Sequence, residues 1–236
     1  LFGRWITFCY QMGDCIITPT PYSKRLLQSY GIKNPIYALS NGIDLGYYKK
    51  TTEEGQEFRR RYGYDKTDKV IISVGLWIER KGILDFIQLA KRMPEYQFIW
   101  FGESDLRTVP KKIRTAMKQK PSNLIFAGYV DREHLRQAYA GADLFLFPSQ
   151  EETEGIVILE ALAMKLPVLV RKIPVYEDWL VDGENVYKAA TQAEFISKTR
   201  ALLNKKLSDT TQKGYQTAEE RSITEIGKKL VSIYSS

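Results

Sequence analysis

Residues 143–170 constrain the fold more than any other stretch. DLFLF at 143–147 and PVLV at 167–170 are short apolar runs of strand length, and residues 156–165 between them are rich in helix formers. Two strands joined through a loop and a helix make a crossover unit whose strands lie parallel. Further runs of this kind occur at 15–18, 36–39, 70–74, 97–101, 123–127 and 185–187, with helical patterns between most of them. Phe86, Leu89 and Ala90 mark one helix face. Ile223, Ile226, Leu230 and Ile233 mark another, on a single terminal helix expected over 217–234. Alternating strand and helix predicts an α/β fold, a Rossmann-like parallel sheet with helices on both faces. No internal repeat or low-complexity segment is visible.

The loop inside this unit carries candidate chemistry. Glu152 precedes the helix, Gly155 stands at its start, and Glu160 follows Glu152 by eight positions, about one turn into the helix. A loop that feeds a helix N-terminus exposes unpaired backbone N–H groups, and the helix dipole favours an anion in front of them. Gly155 lets such a guest approach the backbone. A phosphate or diphosphate suits that place. The two carboxylates suit neutral hydroxyl pairs, Glu152 on a sugar and Glu160 on a ribose diol, through charge-assisted hydrogen bonds of about 1.5–3 kcal/mol each. Sugar, phosphates and ribose in one line describe a nucleotide sugar. On spacing alone, two solvated glutamates on an ordinary packing helix are the simpler reading.

The segment Glu152-Thr153-Glu154-Gly155-Ile156-Val157-Ile158-Leu159-Glu160-Ala161-Leu162-Ala163, followed by Pro167-Val168, resembles the E-x7-E signature of the GT-B glycosyltransferases of family four, E-G-F-G-x-x-x-L-E-A-M-A-x-G-x-P-V. Thr153 and Glu154 replace the usual Gly and Phe, and Lys165-Leu166 stands where the family has a Gly. Other elements agree in order. Ser40-Asn41-Gly42-Ile43-Asp44 resembles the P-N-G-I-D linker, and Val74-Gly75 with Arg80-Lys81-Gly82 resembles V-G-R…K-G. Phe126 to Val130, Ala142-Asp143 and Phe147-Pro148-Ser149 resemble F-x-G-x-V…A-D-x-x-x-x-P-S. The ETEGIVILEALA variant, with IPVYEDWLVDGENVYKA after it, is most similar to bacterial diacylglycerol glucosyltransferases, the glycolipid synthases.

The resemblance implies a retaining hexosyltransferase that uses UDP-glucose and no metal, with a diacylglycerol-type lipid as acceptor. The nucleotide sugar is a substrate, and no cofactor is implied. Catalytic roles fall to Glu152 and Lys81. Lys81 follows the strand at 70–74, at the ligand edge of an open α/β sheet, where its charge can neutralise a departing diphosphate. Donor binding falls to Gly75, Arg80, Tyr129, Val130, Thr153, Glu154, Gly155, Ile156, Val157 and Glu160. The family's Arg after the strand Gly is replaced by Leu76. Arg80 is a candidate substitute, and its side chain could equally point away. The uracil edge is expected over Gly128, Tyr129 and Val130. Tyr129 either stacks on the base or is an ordinary half-buried tyrosine. No Asp-x-Asp triplet of the metal-dependent GT-A enzymes occurs.

The resemblance divides the chain into the end of an N-terminal acceptor domain with its linker (1–44), a donor-binding domain (45–214) and a terminal helix returning toward the N-terminal domain (215–236). Most of the N-terminal domain would then be missing, and this chain alone would be the inactive donor half. It opens on Leu1 and residues 1–17 lack a cleavage pattern, so no signal peptide is expected, and the chain is either processed or part of a longer protein.

Composition supports ordinary globular folding, with 44% hydrophobic and 27% charged residues, and no run approaches the roughly 18 apolar residues that span a bilayer. Only Cys9 and Cys15 occur, which argues for a reducing compartment and against a disulfide framework. His134 is the sole histidine, so no zinc site is expected; it belongs to a helix over 131–140 as a surface or partly buried residue. The net charge is +7, and the helix expected over 110–120 (PKKIRTAMKQK) concentrates cations. That helix is either simply solvated or a contact to an anionic membrane surface, which would place the protein in the cytoplasm, peripheral on the inner face of the cell membrane. Two alternatives remain at this level: the same donor chemistry on a polysaccharide or polyprenyl-linked acceptor, and a non-catalytic basic binding protein on a degenerate GT-B fold. Nucleic acid is not expected as a partner, because no recognition motif is present and the cations are interspersed with acids.

Overall fold

The computed structural model describes residues 2–235. Its main sheet has six parallel strands in the order β5-β4-β3-β6-β7-β8. These are β3 (Val70–Val74), β4 (Gln97–Phe101), β5 (Leu124–Gly128), β6 (Leu144–Phe147), β7 (Val168–Arg171) and β8 (Tyr187–Ala189). A separate pair, β1 (Ile16–Thr18) and β2 (Ile36–Ala38), is also parallel and carries α2 (Pro21–Ser29) between its strands. Thr20 caps α2, accepting from the Ser23 N–H at 3.2 Å.

Period-two alternation explains why both faces of the main sheet are covered. Val70, Ile72, Ile99, Phe101, Phe145 and Phe147 point into one core, with α3 (Thr52–Tyr62), α6 (Arg132–Gly141), α7 (Ile156–Ala163) and α9 (Thr211–Glu219) contributing Phe58, Tyr139, Leu159 and Ala218. Ile71, Phe98, Trp100, Leu144 and Leu146 point into the other, against Phe86 and Leu89 of α4 (Ile83–Arg92), Ile113 of α5 (Lys111–Lys118) and Phe195 of α8 (Gln192–Leu203). The strand order reverses between β3 and β6, which pair through Ile71–Leu144 and Ile72–Phe145. That reversal opens a crevice beyond the carboxyl ends of the two strands, where open α/β sheets bind ligands.

Two expectations from sequence are corrected. The strand expected over 185–187 runs two residues later, as β8. Asn185 instead ties a turn, accepting from the Val181 N–H at 2.7 Å and donating to the Trp179 carbonyl at 3.0 Å and Thr217 Oγ1 at 2.9 Å. The single terminal helix over 217–234 is two helices, α9 and α10 (Ile223–Tyr234). The break falls where the segment around Ile43 crosses. Ile43 donates to the Arg221 carbonyl at 2.9 Å and accepts from the Ile223 N–H at 3.0 Å, and Ser222 takes an extended backbone and caps α10. The helix over 110–120 is α5, with Pro110 just before its first turn and five exposed cations at Lys111, Lys112, Arg114, Lys118 and Lys120. Lys165 takes a left-handed backbone (φ 51°) at the end of α7, which accounts for the glycine in the resembled pattern.

Candidate active site

The crevice is built from the turn after β3 and the loop after β6, and the two are laced together. The Gln150 N–H donates to the Arg80 carbonyl at 2.8 Å, and Ser149 Oγ lies 3.2 Å from the same carbonyl oxygen. Gly82 makes this contact possible. Its φ is 76°, and a Cβ there would stand 2.3 Å from the Pro148 carbonyl oxygen. The turn holds Lys81 over the Phe147 ring, 5.6 Å from its centroid. The Lys81 stem runs beside Gly75, where a Cβ would lie 3.4 Å from Lys81 Cβ.

Lys81 and Glu152 meet directly. Lys81 Nζ lies 2.6 Å from Glu152 Oε1, and the buried Ser149 hydroxyl donates to that same oxygen at 2.7 Å. The Lys81 and Glu152 side chains are 17% and 7% exposed. Glu152 Oε2 takes no hydrogen bond from the described residues. Arg80 donates to the Glu151 carbonyl at 2.7 Å, and Leu76 is half exposed.

Gly155 starts α7 with a φ of 85°. Ahead of the first intrahelical bonds, the N–H groups of Ile156 and Val157 have no partner among the described residues, so the helix presents a donor pair toward the crevice. Ile156 is exposed and Val157 half-buried. Thr153 is exposed, and its carbonyl accepts from Thr20 Oγ1 at 3.0 Å and Ser23 Oγ at 3.4 Å, which fixes the loop against α2. Glu154 points elsewhere. It is buried, and one carboxylate oxygen accepts from the Asn41 N–H at 3.1 Å and Asn41 Nδ2 at 2.6 Å. Its side chain thereby ties the loop to Asn41.

Glu160 sits one turn further on α7, mostly buried. Tyr48 donates to its Oε1 at 2.7 Å and Tyr139 to its Oε2 at 2.9 Å. Burial raises the Glu160 pKa above the usual carboxylate value; the two tyrosines and the Arg132 charge work against that rise. Burial, and then Glu160 itself, push both tyrosines upward. At the far end of the crevice rim, Tyr129 follows β5 with 76% exposure, and Val130 is half-buried. His134 is half-buried on α6 against the Tyr62 hydroxyl, with its pKa lowered chiefly by burial. Among the described residues, no three His, Cys, Asp or Glu side chains gather as a metal site, and no helix is long and apolar enough to cross a membrane.

Sequence reasoning missed Tyr48, Tyr139, Ser149 as the hydroxyl on Glu152, and Tyr176, whose buried hydroxyl beneath Gly155 has no partner. Tyr48 lies 112 positions from the glutamate it serves, so no local pattern marks it.

Residues 54–221 match the family described as glycosyl transferases group 1. The chain belongs to that family. It is 46% identical over 234 residues to a processive diacylglycerol alpha-glucosyltransferase of Acholeplasma laidlawii, covering 99% of this chain and 70% of that protein. It is 36% identical to an alpha-galactosylglucosyldiacylglycerol synthase of Streptococcus pneumoniae, covering 81% of this chain and 52% of that one. The chain thus spans little more than half the length of the second relative. Among solved structures it resembles Anabaena HepE in complex with UDP and glucose, with a TM-score of 0.89 at 18% identity, over 99% of this chain and 66% of that one. That likeness establishes the GT-B type of sheet and helix arrangement and nothing about ligands. Membership makes this a chain of an enzyme family that transfers glycosyl groups, with the crevice at the β3/β6 reversal as its candidate centre.

Proposed function

We propose that the chain is the donor-binding half of a retaining glucosyltransferase that moves glucose from UDP-glucose to a diacylglycerol-type lipid. One observation carries the reading: Lys81, Glu152 and the open N-terminus of α7 converge on one crevice. In this reading Lys81 and the N–H groups of Ile156 and Val157 hold the diphosphate and take up its growing charge as the glycosidic bond breaks. They supply the positive charge a divalent ion would otherwise bring, so the transfer is metal-independent. Glu152 accepts from sugar hydroxyls through its free Oε2 and supports the developing positive charge at the ring. Glu160 accepts the ribose diol. Uracil lies over the segment from Gly128 to Val130, with Tyr129 free to stack on it.

Acceptor and membrane belong to the same proposal. The A. laidlawii and S. pneumoniae relatives are named for diacylglycerol lipids, which supports a lipid of that class as acceptor. The exposed cations of α5 meet an anionic leaflet, each contributing about 1 kcal/mol near the surface. An N-terminal domain supplies the acceptor pocket, and the enzyme works in the cytoplasm, peripheral on the inner face of the membrane. The test is transfer by the full-length protein from UDP-glucose to diacylglycerol in anionic vesicles, with chelator present. The account expects an α-linked glucolipid. Transfer only to a soluble glycan or to a polyprenyl lipid would refute the acceptor assignment.

A further inference from the structure

Tyr176 ends a short turn, Pro174–Tyr176, that follows β7 and packs beneath the start of α7. The side chain is 0% exposed, and its hydroxyl has no hydrogen-bond partner. A phenylalanine would fill the same space without leaving a buried hydroxyl unpaired, so packing gives no reason for the oxygen. The surroundings are specific. A Cβ added at Gly155 would stand 3.3 Å from the Tyr176 hydroxyl, so that hydroxyl lies directly against the glycine that starts α7, three residues after Glu152. Burial raises the phenol's pKa, and the nearby negative charge of Glu152 raises it further.

The other half of the reasoning lies with Lys81. In this structure it is committed to Glu152 at 2.6 Å. A diphosphate in the crevice draws Lys81 to itself, and Lys81 cannot serve both anions at full strength. With UDP alone in the crevice and no sugar hydroxyls at hand, Glu152, at 7% side-chain exposure, would then keep only the Ser149 hydroxyl. A carboxylate that buried needs further donors. We propose that Tyr176 is a positioning residue, whose hydroxyl engages the Glu152 carboxylate when a nucleotide diphosphate draws Lys81 away. The inference rests on the donor-site reading above. It assigns the unpaired hydroxyl to the liganded state and makes the Lys81–Glu152 pair the resting state.

The test is Tyr176→Phe in the full-length protein, with UDP affinity measured by calorimetry and thermal unfolding measured without ligand, each in the wild-type and Glu152→Ala backgrounds. The expected result has opposite signs. Without ligand the melting temperature holds or rises by a few degrees, because an unpaired buried hydroxyl is removed. UDP affinity falls about tenfold, as for one hydrogen bond to a charged group. In the Glu152→Ala background the affinity effect disappears. A merely structural hydroxyl would lower the melting temperature and leave affinity untouched, and that result overturns the proposal. So does an unchanged affinity, or an equal loss in both backgrounds. If the wild-type protein binds no UDP, the donor-site reading itself fails and this inference with it. If it binds UDP and Tyr176→Phe binds equally well, only the inference fails.

Discussion

Replacing Lys81 by Met removes the charge and keeps most of the stem that packs beside Gly75 and Phe147. Glu152 is then left as a carboxylate at 7% exposure, with the Ser149 hydroxyl as its remaining donor at 2.7 Å. Breaking a well-buried pair from one side costs about 3–5 kcal/mol. The pair here keeps some solvent on the lysine side and retains Ser149, so the lower end applies, about 3 kcal/mol. For a chain of this length each kcal/mol shifts the melting temperature by about 2–4 °C, giving a fall of about 6–12 °C. Adding Glu152→Gln removes the stranded charge and should restore most of the loss. Thermal unfolding of the two variants against wild type measures this directly. An unchanged melting temperature for Lys81→Met would refute the reasoning, since it would mean that the resting protein does not hold the pair.

Three further outcomes follow from other contacts. Lys205 holds a φ of 54° and is exposed, so Lys205→Gly should relieve left-handed strain and raise stability by about 0.5–1 kcal/mol, read as a small rise in melting temperature. Burial lifts the Glu160 pKa in the fold above its ordinary 4.5, so the folded state holds that proton more tightly than the unfolded state. Its favourable contribution is therefore complete below pH 4.5 and is lost as pH rises through the folded value. Denaturant unfolding should show wild type losing stability relative to Glu160→Gln as pH rises above 4.5, and a pH-independent difference would contradict this. Asn41→Ala strips Glu154 of its 2.6 Å partner and leaves one backbone N–H, at a cost of about 1.5–3 kcal/mol, visible as a lower denaturation midpoint.

The sheet was legible because buried parallel strands are continuous apolar runs. VIISV and QFIWF coincide with β3 and β4 without adjustment. β8 was displaced because Asn185 and Val186 look like the start of a strand, while the Asn185 side chain is spent on the preceding turn. The terminal helix was read as one because its apolar period runs on. The break at Ser222 is imposed by Ile43, a contact from the far end of the chain that periodicity does not carry. At the site, the Glu152, Gly155 and Lys81 pattern predicted the convergence on the crevice. Glu154 was placed with the donor by the motif, and the contact of its carboxylate with Asn41 lies outside any local pattern. Arg80 had two open orientations, and the structure sets it on the Glu151 carbonyl. Tyr48, Tyr139 and Tyr176 were invisible for one reason: each reaches its glutamate or glycine from a separate element, and tyrosines are too common in cores to stand out.

Under the donor-site proposal, one crevice holds a nucleotide diphosphate sugar. Calorimetric titration of the protein with UDP-glucose, UDP-galactose, GDP-mannose and UDP, with chelator present and alongside Glu160→Ala, tests this most directly. The account predicts selective binding of the UDP species, unaffected by chelator and weakened at least tenfold in Glu160→Ala by loss of the ribose contact. Equal binding by Glu160→Ala, a requirement for divalent metal, or no nucleotide binding by the full-length protein would contradict it.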